Sequence, residues 1–361
     1  MPDSGKTESN NQCRHDAGLL AAGPNLMTLQ NAISDIEGAL VKARGINTVS
    51  NNSDFAAPDR VLLATDIADL DYLVPQATSQ CQASAASLTI AHVIPDNNSN
   101  GFDTAAGTKP NNSEIRSRER LQLAQARLEE AAAQIRAAGI ECQTMIRWGY
   151  PYPVIEEIVR QGDIKRLIVG THGRGYLSKF FLGSTAHEIL TAIHVPVLIV
   201  GPHARGHVGG VPRRILHPVS LNSGYQEAAQ FAIKIAQFHE AEISFLHVLS
   251  PQLQPGFTAQ RVLQWIHNEL KHLARQEVPE WLKATSMVEQ GDIVERIVFI
   301  AQKSDADLVV MGANPGSAFW PVYGDRTVYN VIAQAKCPVL TLLHSHRQAV
   351  NPAKPQCTIL I

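Results

Sequence analysis

The chain has 361 residues, of which 45% are hydrophobic and 18% are charged, and its formal net charge is −2. This composition is that of a globular protein long enough for about two domains at roughly 150 residues each. Because basic and acidic residues are interspersed, the sequence favours neither a nucleic-acid-binding protein nor one held on an anionic membrane. No apolar stretch approaches the roughly 18 residues of a membrane-spanning helix, and the polar start lacks the order of a signal peptide, so we expect a cytoplasmic protein.

Residues 1–58 differ from the rest of the chain in composition. Their polar stretches predict a flexible extension, and apolar residues at spacings of three and four predict one amphipathic helix within it, over about 25–43. These apolar residues are Leu26, Leu29, Ile33, Ile36 and Leu40. Two interpretations remain open: a docking or dimer-forming helix with a short apolar seam, and a helix packed on the body of its own chain.

From Arg60 onward, short apolar runs alternate with amphipathic stretches. The runs VLLAT, SLTIAHV, ECQTMIRWG, RLIVG and VPVLIV predict five strands, and the segments between them predict four helices. Such alternation is typical of an open sheet whose parallel strands are joined by right-handed crossovers. The predicted fold class is therefore α/β, with a mainly parallel sheet and helices on both of its faces.

The same pattern then begins again, which indicates a duplication. Gly149 and Gly291, for example, hold matching places 142 positions apart. A short Gly-rich stretch, HARGHVGGVP, separates the repeats. We expect two tandem open-sheet domains, at 59–203 and 212–346, followed by a polar tail at 347–361.

The stretch after the fourth predicted strand is suited to holding a phosphate. Gly170 ends that strand, Gly173 follows in the loop, and Gly183 and Ser184 begin a helix. Backbone N–H groups and a helix N-terminus then meet at the end of a strand, where an anion is well bound. Asp66 follows the first strand at the same edge of the sheet, and its carboxylate suits the hydroxyl or amino donors of a nucleoside. By themselves, such spaced glycines also occur in ordinary tight turns.

The pattern Gly-x2-Gly-x9-Gly-Ser, within VGTHGRGYLSKFFLGSTA and combined with Asp66, resembles the ATP-binding subgroup of the universal stress protein family. The resemblance covers both repeats and implies a site in the first one for ATP, or for AMP or ADP, with Mg²⁺ as an accompanying ion. It implies nucleoside contacts from Ala64, Thr65, Asp66 and Val93, and ribose and phosphate contacts from Gly170, Gly173, Gly183, Ser184 and Thr185. Arg174 and Lys179 either contact a terminal phosphate or are solvated charges of the loop.

The second repeat departs from this pattern at the positions that would serve binding. Ser220 stands in place of Asp66, and Pro315 removes an N–H donor at the second glycine of the loop. Asp325, after Gly324, places a negative charge at the helix start, where it repels a phosphate. We therefore expect one adenine-nucleotide site per chain, beside a second domain that keeps the fold and has a degenerate site.

The remaining chemistry-bearing residues favour no further site. The five cysteines form no CxxC pair, which argues against a disulfide framework and against zinc, and the 14 histidines form no HExxH motif. We expect no metal site built by the protein and no catalytic residue, so that any ATP hydrolysis is slow.

The resemblance implies a cytoplasmic stress-response protein that acts as a nucleotide-dependent binding or regulatory module. It implies intramolecular pairing of the two domains through their final strands, around Val197–Val200 and Val339–Leu343, with the second domain as structural partner. We also expect a homodimer and an unidentified protein partner, and neither nucleic acid nor membrane as partners. Two alternatives remain: a weak ATPase or nucleotidyl-transfer enzyme, and a nucleotide-free structural protein that forms dimers.

Overall fold

The structure is a computed structural model that describes residues 60–95, 112–171, 184–201, 204, 211–221, 225–249, 251, 257–313 and 326–343. The predicted helix at about 25–43 and the predicted tail at 347–361 lie outside these residues. Among the described helices, none combines the length and the apolar character that crossing a membrane requires.

The described part of the first repeat alternates strands with helices, which confirms the α/β class. Its strands are β1 (Arg60–Thr65), β2 (Ser87–Ile94), β3 (Cys142–Trp148), β4 (Arg166–Gly170) and β5 (Val197–Val200). Its helices are α1 (Leu70–Ser84), α2 (Asn112–Ala137), α3 (Pro151–Gln161) and α4 (Ser184–Ala192). All neighbouring strands of this repeat are parallel, in the order β3-β2-β1-β4-β5.

The second repeat has the same succession of elements. Its strands are β6 (Arg214–Pro218), β7 (Glu242–Leu249), β8 (Ala284–Gln290), β9 (Leu308–Ala313) and β10 (Val339–Leu343). Its described helices are α5 (Tyr225–His239), α6 (Phe257–His272), α7 (Ile293–Lys303) and α8 (Arg326–Gln334), and a π-helical turn at Leu273–Glu277 extends α6. The strand order β10-β9-β6-β7-β8 matches the order in the first repeat, and these strands are also parallel.

The two repeats meet at β5 and β10, which pair antiparallel and join both halves into one ten-stranded sheet. Leu198 lies opposite Leu340, and these residues hold equivalent positions in their repeats. In the preceding helices, His187 of α4 stacks on Tyr329 of α8, again its equivalent, with ring centroids 4.9 Å apart and 13° between the ring planes. Contacts between equivalent residues mark a pseudo-twofold axis between the repeats.

Helices on both faces explain why the strands are nearly continuous apolar runs. In β1, for example, Val61, Leu62 and Leu63 are fully buried. On the face covered by α3, α4, α7 and α8, one buried apolar cluster includes residues of both repeats, among them Ile189 and Val331. The hydrophobic core on this face is therefore continuous across the junction.

Candidate functional site

A cavity of about 180 Å³ opens at the carboxyl ends of β1, β2 and β4, between α3 and α4. At this place the chain leaves β1 toward one side of the sheet and leaves β4 toward the other, which is the crevice where open α/β sheets bind ligands. Six residues predicted from the sequence line the cavity: Ala64, Thr65, Asp66, Val93, Gly170 and Thr185. The structure thus brings together residues more than 100 positions apart in the chain.

The structure describes only one of the other five predicted site residues. Ser184 is the first residue of α4. The four remaining candidates lie outside the described residues: Gly173, Arg174, Lys179 and Gly183. The ligand contacts of all the predicted site residues, including the six that line the cavity, stay predictions.

Among the described residues, only one of the two carboxylate oxygens of Asp66 has a hydrogen-bond partner. Its Oδ1 accepts a hydrogen bond of 3.0 Å from the backbone N–H of Ala68. Its Oδ2 is buried and has no hydrogen-bond partner among the described residues. Since a buried acceptor without a partner costs free energy, this oxygen is suited to a hydrogen-bond donor that arrives with a ligand.

The turn after β1 holds Asp66 in place. The hydroxyl of Thr65 accepts a hydrogen bond of 2.9 Å from the N–H of Ile67, and Nδ1 of His92 donates one of 2.8 Å to the carbonyl of Thr65. Ile67 has a φ of 80°, a left-handed conformation that is costly for a β-branched residue. The equivalent Leu221 in the second repeat has a φ of 56°, so this strained turn is a property of the fold.

Asp69 is a site residue that the sequence did not reveal. It stands at the N-cap position of α1, which is an ordinary place for an aspartate, but its side chain makes no capping hydrogen bond. Instead it lines the cavity, is only 4% exposed, and accepts a short hydrogen bond from the hydroxyl of Thr65. The pKa of Asp69 is raised to about 7, chiefly by burial and to a smaller extent by the nearby charge of Asp66, while the Thr65 hydrogen bond acts in the opposite direction.

Gly170 is required here by a close approach of side chains. A Cβ atom at this position would collide with Oδ2 of Asp69 and would lie 3.0 Å from the hydroxyl of Tyr72. The carboxyl group of Asp69 therefore packs directly against the end of β4. The sequence indicated that this glycine allows the chain to turn. The fold adds a second reason, which is the close contact with Asp69.

Opposite polarities meet around the cavity. Thr185, in the first turn of α4, lines it together with the carboxyl groups of Asp66 and Asp69, and none of the described lining residues is Lys or Arg. The first N–H groups of a helix lack partners within the helix and carry partial positive charge. Between the two carboxyl groups and the start of α4, the cavity has an apolar wall of aliphatic side chains that include Val93 and Ile155. The cavity can therefore take a ligand with donor groups, an apolar ring and an anionic end.

The second repeat places different chemistry at the equivalent edge. Nδ1 of His247 bonds the carbonyl of Val219 at 2.7 Å, just as His92 bonds Thr65, which aligns the two turns. In this alignment Val219 replaces Thr65 and the exposed Ser220 replaces Asp66. Position 219 thus lacks the hydroxyl of Thr65, and position 220 carries a hydroxyl in place of the carboxylate of Asp66.

In the described part of the chain, no three His, Cys, Asp or Glu side chains come together in a way that could hold a metal ion.

Comparison with known proteins agrees with this architecture. The model of the universal stress protein family matches residues 58–201 and again 212–342. A universal stress protein of Methanocaldococcus jannaschii is 28% identical over 138 residues, which cover 36% of this chain and 81% of that protein.

Two solved structures show the same fold over most of the chain. A universal stress protein of Archaeoglobus fulgidus superposes with a TM-score of 0.60 at 19% identity, covering 81% of this chain and 98% of that one. A putative universal stress protein of Pseudomonas aeruginosa superposes with a TM-score of 0.52 at 17% identity, covering 81% of this chain and 95% of that one. With two matches to the family model and this shared fold, the chain belongs to the universal stress protein family, as a tandem member.

Proposed function

We propose that the first repeat binds an adenine nucleotide and that the protein acts as a nucleotide-dependent binding or regulatory module, with the second repeat as its structural partner. The observation that carries the proposal is the buried Oδ2 of Asp66, which lines the cavity and has no partner among the described residues. A nucleoside offers hydroxyl and amino donors of the kind that this oxygen lacks.

The rest of the cavity supports the same ligand class. Its aliphatic wall, which includes Val93 and Ile155, suits the faces of a purine ring, because burying such a ring removes apolar surface from water. The start of α4 and the glycine loop before it suit phosphates. We place the nucleoside at the Asp66 end of the cavity and the phosphates toward α4, with any Mg²⁺ held on the phosphates.

Calorimetric titration with ATP and Mg²⁺ tests this proposal. We expect Asp66→Ala to weaken binding about tenfold or more, since a hydrogen bond to a charged group is worth about 1.5–3 kcal/mol. Ser220→Ala is the matched control, because it alters the equivalent position of the second repeat, and it should keep the wild-type affinity.

Equal affinity of wild type and Asp66→Ala would show that the nucleotide site is assigned wrongly, provided that both variants melt as folded proteins. Steady phosphate release that disappears in Asp66→Ala would instead favour the enzyme alternative. Absence of any affinity for nucleoside phosphates would favour the structural alternative.

A further inference from the structure

We propose that Asp69 is a second recognition residue of the nucleotide site, which favours the bound nucleotide while its carboxyl group is neutral and opposes it once that group is ionised. The inference rests on the proposed function and adds to it a dependence of binding on protons. It concerns a residue three positions beyond Asp66, at the N-cap position of the next element, α1.

The geometry places Asp69 inside the site. Its side chain lines the cavity together with that of Asp66, and the residue is 4% exposed. One carboxyl oxygen accepts the hydroxyl hydrogen of Thr65. The other oxygen faces the end of β4, where a Cβ atom on Gly170 would collide with it. The carboxyl group is thus held between β1 and β4, against the strand end that leads into the glycine loop.

No described positive side chain is present to stabilise a second negative charge in this cavity. Among the described residues, the titratable groups around Asp69 include Asp66 at the end of β1, Tyr72 on α1, and His92 on β2, which bonds the carbonyl of Thr65. The described lining residues of α3, β4 and α4 contribute no titratable group. Burial and the charge of Asp66 raise the pKa of Asp69 to about 7, so both of its forms are populated near neutral pH.

The two forms differ in what they offer a nucleotide. A neutral carboxyl group carries one O–H donor, which can bond a lone pair of the ligand, whereas an ionised carboxylate can only accept hydrogen bonds. An ionised Asp69 adds a second negative charge beside an anionic ligand, in a cavity where water screens it poorly. Binding therefore takes up a proton, and the affinity falls as the pH rises through about 7.

The test is calorimetric titration with ATP and Mg²⁺ between pH 6 and pH 8, in buffers of different ionisation enthalpy. For the wild type we expect Kd to rise up to about tenfold across this range and a fraction of a proton to be taken up at pH 7. Asp69→Asn keeps the shape of the side chain but cannot ionise, so it should show only the titration of ATP itself. Adenosine, which carries no phosphate, serves as a second probe that is free of that titration.

Asp71→Asn is the matched control. Asp71 is the next acidic residue along α1, but its side chain is 85% exposed and pairs with Arg127 at 3.2 Å. This variant should keep the wild-type pH profile, and thermal melts establish that each variant is folded. If ATP binds and the wild type and Asp69→Asn share one pH profile and one proton uptake, the inference is overturned and the proposed function stands. If neither ATP nor adenosine binds at any pH, the proposed function itself falls.

Discussion

The absence of a side chain at Gly170 makes room for the carboxyl group of Asp69. A Cβ atom there would collide with Asp69, whose carboxyl group is buried and held by Thr65. We expect Gly170→Ala to lower the free energy of unfolding by about 1–3 kcal/mol, the usual cost of overpacking, measured by chemical denaturation.

Gly201→Ala is the control for this substitution. Its added Cβ would lie 3.9 Å from the side chain of Thr171, an ordinary contact, so it should cost much less. Because Asp69 supplies the clash, the double variant Gly170→Ala with Asp69→Ala should recover most of the loss. Equal costs for the two alanine substitutions would contradict this account of Gly170.

At the scale of elements, α4 and α8 are the helices that connect the site region of each repeat with the junction. They touch through equivalent residues, His187 and Tyr329, whose rings stack at 4.9 Å. A double-mutant cycle of His187→Ala and Tyr329→Ala should give a coupling energy of about 0.5–1.5 kcal/mol, as expected for a stacked ring pair. A cycle that pairs His187→Ala with Tyr150→Ala, at a position 72% exposed, should be additive. Additive energies for the stacked pair would show that α4 and α8 are not coupled by this contact.

The junction strands matter in the same way. β5 and β10 pair through three residues each, and Thr341 of β10 also donates its hydroxyl to the carbonyl of Val197 at 3.3 Å. Strand pairing at this point covers what would otherwise be an exposed, apolar sheet edge on each repeat. The antiparallel pairing therefore gives hydrogen-bond partners to the backbone of both edge strands, β5 and β10.

At the scale of the whole molecule, one sheet and one continuous core on the α4 and α8 face join the two repeats. We expect the sheet to unfold in a single calorimetric transition. Leu340→Asp places a charge in the buried junction, opposite Leu198, and should separate this transition into two. Under the proposed function, we expect ATP to raise the melting temperature of the first repeat's transition only.

Leu246→Ala is the control for the junction variant. Leu246 is fully buried in β7, within the second repeat, so the substitution should lower the melting temperature by creating a cavity but should keep a single transition. Two transitions in the wild-type protein would show that the repeats unfold independently despite their shared sheet.

The local pattern of the sequence was sufficient for the α/β class, the duplication and the family. Strand runs, helical spacing and repeated glycines depend on residues near one another in the chain, and the structure agrees with them. The position of Asp66 at the edge of the sheet was also predictable, because the carboxyl ends of parallel strands lie together. The nucleotide contacts of all the predicted residues remain predictions, and four residues of the glycine loop, Gly173, Arg174, Lys179 and Gly183, also lie outside the described residues.

Only the tertiary structure decided the state of the carboxyl groups. Asp69 has the local appearance of an N-cap, and its burial depends on Gly170, which lies 101 positions further along the chain. The lack of a partner for Oδ2 of Asp66 among the described residues likewise depends on which donors the fold brings near it. The burial of a carboxyl group and the charges around it depend on all of its neighbours in space, whereas the sequence shows only the neighbours along the chain. For this reason the sequence by itself predicted where the proposed nucleotide site lies, whereas the burial and the raised pKa of Asp69 follow only from the fold.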